Sequence, residues 1–99
     1  MGSHSSVKDI SDLLTPIFAR YDIRHAVLFG SFAKGSATDT SDVDLLVDSG
    51  LKGLRFLGFT EAIHHAVERP VDIFDVTHIE SGSRIEREIQ ETGVTIYAR

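Results

Sequence analysis

Gly30-Ser31 is followed, after ten residues, by Asp42-Val43-Asp44, and the aspartates open an apolar run, Leu45-Leu46-Val47. A turn of small residues lets the backbone approach phosphate oxygens closely, and a helix start behind it adds N–H donors. Two carboxylates separated by one residue on an extended chain point to the same face. There they repel each other unless a cation lies between them, and carboxylate oxygens are the ligands that hard divalent ions prefer. A phosphate turn joined at fixed distance to paired acids is the equipment for nucleotidyl transfer from a metal–nucleoside triphosphate.

These groups need elements to hold them. Ala26-Val27-Leu28-Phe29 is a continuous apolar run ending at Gly30, which predicts a buried strand at 25–29 leaving a sheet at a turn with a brief helical start. Residues 43–48 predict a second strand, with Asp42, Asp44 and Leu46 on one face and Val43, Leu45 and Val47 on the other. Val71-Asp72-Ile73-Phe74-Asp75 predicts a third over 71–76, on which Asp75 lies three residues beyond Asp72 and so faces the opposite side.

Ile10, Leu13, Leu14, Ile17, Phe18 and Tyr21 recur at helical spacing over 7–20, and Pro16 is expected to kink that helix or divide it. Gly50, Gly53 and Gly58 punctuate the next segment. Phe59, Ala62, Ile63, Ala66 and Val67 then form the stripe of a helix ended by Pro70. Ser83 with Glu86 has the pattern of a capping box before Ile85 and Ile89, Gly93 suits the position past that helix, and Val94 to Ala98 reads as a last strand. Strands alternating with helices predict an α/β (α+β) fold, a small mixed sheet covered by helices.

Gly30-Ser31-Phe32-Ala33-Lys34-Gly35 followed by Ser41-Asp42-Val43-Asp44-Leu45-Leu46-Val47 resembles the minimal nucleotidyltransferases of the polymerase-beta superfamily. These are the antitoxins paired with HEPN-domain ribonuclease toxins, and the resemblance runs from about Ile10 to the C-terminus. It implies the polymerase-beta-like nucleotidyltransferase fold and a third carboxylate on a later strand, which Asp72 matches. Lys34 stands where many relatives have Arg; the positive charge is kept and bidentate phosphate contact is lost.

On this reading Asp42 and Asp44 bridge two magnesium ions, with manganese as an alternative, and Asp72 completes the nucleophile-side ion and accepts a proton. Gly30, Ser31 and Lys34 face the triphosphate. The implied reaction transfers AMP from ATP to a tyrosine of a cognate HEPN toxin. Two other readings are a non-enzymatic antitoxin that neutralises by binding, and a stand-alone transferase with a small-molecule acceptor.

Composition narrows the partners. The chain has 99 residues, formal net charge −5 and no cysteine, so no basic footprint for direct nucleic-acid contact is visible and no thiolate metal site or disulfide exists. No apolar stretch approaches the length of a membrane span and no signal-peptide pattern opens the chain, which together predict a cytoplasmic protein. Residues 1–6 read as a disordered start or expression scar and 7–99 as one domain with little material for an acceptor pocket. The acceptor is therefore expected on another macromolecule, in an oligomer or hetero-oligomer whose composition stays open. His64 and His65 are adjacent on a helix and point different ways, unlike an i, i+4 metal pair. Phe32 is expected to pack behind the turn, and Glu80, Glu86, Glu88 and Glu91 with Arg84 and Arg87 to form a solvated helix face.

Overall fold

The computed structural model describes residues 6–35 and 42–99; residues 1–5 and 36–41 lie outside the described residues. Helix α1 spans Val7–Arg20, strand β1 His25–Phe29, helix α2 Ser31–Lys34 and strand β2 Val43–Asp48. Helix α3 spans Gly53–Ala66 and strand β3 Val71–Asp75, followed by a 3₁₀ turn at Val76–His78. Helix α4 spans Arg84–Thr92 and strand β4 Val94–Ala98. The sheet has the order β3-β2-β1-β4, with β1 antiparallel to β2 and β4 and β2 parallel to β3.

One face of the sheet carries the main core. Val43, Leu45 and Val47 of β2 and Ala26 and Leu28 of β1 meet Ile10, Leu14, Ile17 and Phe18 of α1 and Phe59 and Ile63 of α3. Burial alternates strictly along β2, so Asp44 and Leu46 belong to the opposite face. There Val27 and Phe29 are buried and the Phe29 and Phe74 rings approach with centroids 5.9 Å apart. Helix α4 lies over this second face against β1, so the sheet is covered on both sides, as a mixed sheet with an apolar face on each side requires.

Several local expectations changed. Ser6, set aside with the first five residues, is the N-cap of α1: its hydroxyl accepts from the Asp9 amide at 3.1 Å. Pro16 neither ends nor divides α1, which runs through it as one helix of 14 residues. A proline there removes one backbone hydrogen bond, but Ile17 and Phe18 just beyond it are buried in the core and hold the last turn in place.

Helix α3 begins at Gly53 and takes in Gly58, where a Cβ would stand 3.3 Å from the Tyr21 hydroxyl. That glycine lets α3 approach the end of α1 rather than interrupting it. The helix ends at Ala66, four residues before Pro70. Strand β3 stops at Asp75 because Asp75 itself caps the 3₁₀ turn. Ser83 caps α4 as expected, accepting from the Glu86 amide at 3.1 Å, but the Glu86 carboxylate accepts from the Gly82 amide and not from that of Ser83. No helix among the described residues is long and apolar enough to cross a membrane.

Candidate active site

Strand β1 ends at Phe29 and the chain turns sharply through Gly30 into α2. Gly30 has φ +82°, a left-handed conformation that side chains rarely adopt, and a Cβ placed there would stand 2.4 Å from Asp44 Oδ2. Glycine is therefore required twice over, for backbone shape and for the carboxylate that fills the space. Ser31 opens α2 on the exposed side, while Phe32 is 5% exposed in the core with the Arg69 guanidinium 5.1 Å over its ring. Phe32 thus packs behind the turn. Lys34 is exposed at the far end of α2.

The acids come together through register. Asp44 is paired with Phe29 on the antiparallel side and with Asp72 on the parallel side. Paired positions on neighbouring strands share a face and lie roughly 5 Å apart, so Asp44 and Asp72 stand side by side, with Asp42 just before the start of β2. Asp42 and Asp72 are exposed and Asp44 is half-buried. Burial, then the negative charges of Asp72, Glu88 and Asp42, push the Asp44 carboxyl from 3.8 up to about 6.

Among the described residues, the charged groups that raise Asp44 are carboxylates. An oxygen-rich, electrically uncompensated set of this kind fits divalent magnesium or manganese. Among the described residues no three Asp, Glu or His side chains are already gathered about one point, so closing on an ion would take side-chain rotation. Beyond Asp44 the same face of β2 continues to Leu46, which floors a groove of about 320 Å³ walled by Val76, Ile79 and Ile89 and edged by Glu86 and Gln90.

Asp75 lies on the other face and is spoken for. It is 5% exposed, and its Oδ1 accepts from the Ser49 amide and hydroxyl at 3.1 and 2.6 Å. Its Oδ2 accepts from the Thr77 amide and hydroxyl at 3.1 and 2.7 Å. Burial pushes this carboxyl up, but the four hydrogen bonds together outweigh it and hold the group below its ordinary value. His64 and His65 are exposed, and Nε2 of His64 lies 3.1 Å from the Val71 carbonyl.

Helix α4 contributes two residues that sequence reasoning missed. Glu88 is exposed, as expected of that helix face, yet its Oε1 lies 3.7 Å from the position a Gly30 Cβ would take. One turn on, the Thr92 hydroxyl accepts from the Gly30 amide at 2.7 Å and donates to the Glu88 carbonyl at 2.7 Å. The only sequence signal was their i, i+4 spacing, which places them on one side of the helix without saying what that side meets.

A helix-covered mixed sheet with a glycine turn and paired acids at one end defines the class, a nucleotidyltransferase. The polymerase-beta nucleotidyltransferase family matches residues 13–99, and the chain belongs to that family. A protein of Methanocaldococcus jannaschii, provisionally assigned as a protein adenylyltransferase, is 33% identical over 45 residues. That match covers 46% of this chain and 48% of the relative, so it spans about half the relative's length. Among solved structures, a toxin–antitoxin complex with AMP-PNP superposes with TM-score 0.70 at 18% identity, covering 90% of this chain and 73% of the other. A tri-AMPylated HEPN toxin of Shewanella oneidensis in complex with its MNT antitoxin superposes with TM-score 0.61 at 15% identity, covering 93% and 72%. At these identities the structural likeness establishes the fold.

Proposed function

We propose that the protein is an antitoxin that acts as a protein adenylyltransferase, moving AMP from ATP to a tyrosine hydroxyl of a cognate HEPN ribonuclease toxin with two divalent metal ions. The observation that carries this reading is the register of Asp44 with Asp72 beside the Gly30 turn. The names of the structural relatives, one holding an ATP analogue and one an AMPylated HEPN toxin, support the choice of nucleotide and partner.

Asp42, Asp44 and Asp72 would hold the metals, which when bound neutralise the triphosphate and the departing pyrophosphate. Gly30, lacking a Cβ, lets the turn close on the Asp44 carboxylate and so sets the triphosphate beside the acids, and Ser31 and Lys34 add a hydroxyl and a positive charge. The phenol oxygen of the acceptor forms a bond to the α-phosphorus as the bond from that phosphorus to the α,β-bridging oxygen breaks, releasing pyrophosphate. Asp72, exposed on the edge strand, takes the phenolic proton on a carboxylate oxygen. A phenol with pKa near 10 gives up that proton more readily than an aliphatic alcohol. Asp44, at about 6, is mostly ionised at neutral pH and so available as a ligand.

Intact-mass analysis of the HEPN partner after incubation with this protein, ATP and magnesium is the test. The expected result is addition of one or more adenylyl groups to a tyrosine together with loss of ribonuclease activity. Inhibition without ATP and without a mass change would establish the binding-only antitoxin instead. ATP turnover with an unmodified toxin would point to a small-molecule acceptor.

A further inference from the structure

The Gly30 amide, at the apex of the phosphate turn, is committed to a side chain 62 positions away, the Thr92 hydroxyl. That hydroxyl has one proton, and it is donated to the Glu88 carbonyl, so only its lone pairs face Gly30 and the direction of the contact is fixed. The next residue, Gly93, leaves no room for a side chain: a Cβ there would meet the Ile89 carbonyl oxygen at 2.5 Å and Val27 Cγ1 at 3.0 Å. The C-terminal end of α4 is thus seated tightly on β1. No residue of α4 is fully buried, so the helix has no deep anchor of its own, and these contacts at its last turn fix it to the site.

Glycine has cheap alternatives to the conformation it holds here. Releasing its amide would let the peptide rotate and the Gly30 Cα leave the place that Asp44 Oδ2 occupies against it. We propose that Thr92 is a positioning residue for nucleotidyl transfer. Its hydroxyl clamps the Gly30 amide in the one turn geometry that accommodates Asp44, and the same contact holds the Glu88 carboxylate against the acidic face. The inference rests on the proposed function for its substrate but not for the clamp itself.

The test compares Thr92→Val, which keeps the shape and removes the hydroxyl, with Thr92→Ser, which keeps the hydroxyl; Thr92→Ala serves if the valine variant fails to fold. Amide exchange by NMR reads the clamp directly. In Thr92→Val, exchange at Gly30 should accelerate about tenfold relative to Leu28 in β1, while Thr92→Ser stays near the parent. The dissociation constant of magnesium-ATP and the KM for ATP should rise about three- to tenfold in Thr92→Val, with kcat changed less, and Thr92→Ser should restore both to within about twofold. Unchanged Gly30 exchange in Thr92→Val overturns the clamp, as does a serine variant as impaired as the valine one. If the parent itself neither binds magnesium-ATP nor transfers AMP, the proposed function falls, and the exchange measurement still decides the clamp.

Discussion

Replacing Asp44 with Asn should make the metal-free protein more stable at neutral pH, even though it removes a residue at the centre of the site. Burial and three neighbouring carboxylates raise this group from 3.8 to about 6. The fold therefore holds the Asp44 proton more tightly than the unfolded chain does. The stability this provides is fully present below the unfolded value and is lost as pH rises through about 6, after which the ionised carboxylate opposes folding. Taken at face value the displacement corresponds to roughly 3 kcal/mol. Asp44 is only half-buried, and water screens its neighbours, so the realised penalty is nearer ~1 kcal/mol.

Asparagine has the same shape and does not titrate. In EDTA the Asp44→Asn protein should match the parent at about pH 3 and melt higher at about pH 7.5, by about 4–8 °C for a domain of this size. On the proposed metal-holding role of Asp44, excess magnesium should reverse the order at about pH 7.5, because ligand binding to the folded state would stabilise the parent and the variant would lack one of the oxygens that hold the ion. Thermal unfolding followed by circular dichroism, at both pH values with and without magnesium, is sufficient. A difference that does not change with pH, or an asparagine variant less stable in EDTA at neutral pH, would refute the crowded-carboxylate argument.

Four further outcomes follow from the same geometry. Asn at position 42, 44 or 72 should lower AMP transfer by about a hundredfold or more, read by intact mass of the HEPN partner, with circular dichroism unchanged. ATP titrated calorimetrically should bind far more tightly with magnesium than in EDTA, since an acidic face repels a bare triphosphate; equal affinities would count against metal binding here. Asp75→Asn should destabilise the protein by about 2 kcal/mol in chemical unfolding, because one carboxylate serves four donors, yet leave transfer per folded molecule near the parent's. Gly30→Ala should lower the melting temperature, through about 1–2 kcal/mol of left-handed strain plus the clash with Asp44, and abolish ATP binding.

The parts legible in the sequence were those that a strand decides locally. Period-two alternation put Asp42 and Asp44 on one face and sent Asp75 to the other, and burial along β2 and β3 follows that division. Asp75 illustrates the gain: sequence alone separated it from Asp72 by parity, and the structure supplies the reason it is there, a cap on the 3₁₀ turn and a tie to Ser49. Helix ends were less legible because they depend on neighbours. Pro16 reads as a break until the burial of Ile17 and Phe18 is known, and Gly58 reads as punctuation until Tyr21 is found against it.

The α4 residues mark where local reading stops. Glu88 and Thr92 sit in a helix whose charges look like those of any solvated surface, and nothing nearby in the chain reveals that this surface rests on β1. Docking of α4 comes from contacts across the chain, Thr92 with Gly30 and Gly93 with Val27, and contacts that distant leave no periodic trace. The consequence is electrostatic as well as geometric. By bringing Glu88 to a face that already carries Asp42, Asp44 and Asp72, the fold adds a fourth negative charge to the cluster, and among the described residues the charges that raise Asp44 are all carboxylates. Such an arrangement opposes folding on its own and becomes favourable once divalent charge enters, so the repulsion that weakens the metal-free protein should sharpen its preference for nucleotide that arrives with metal.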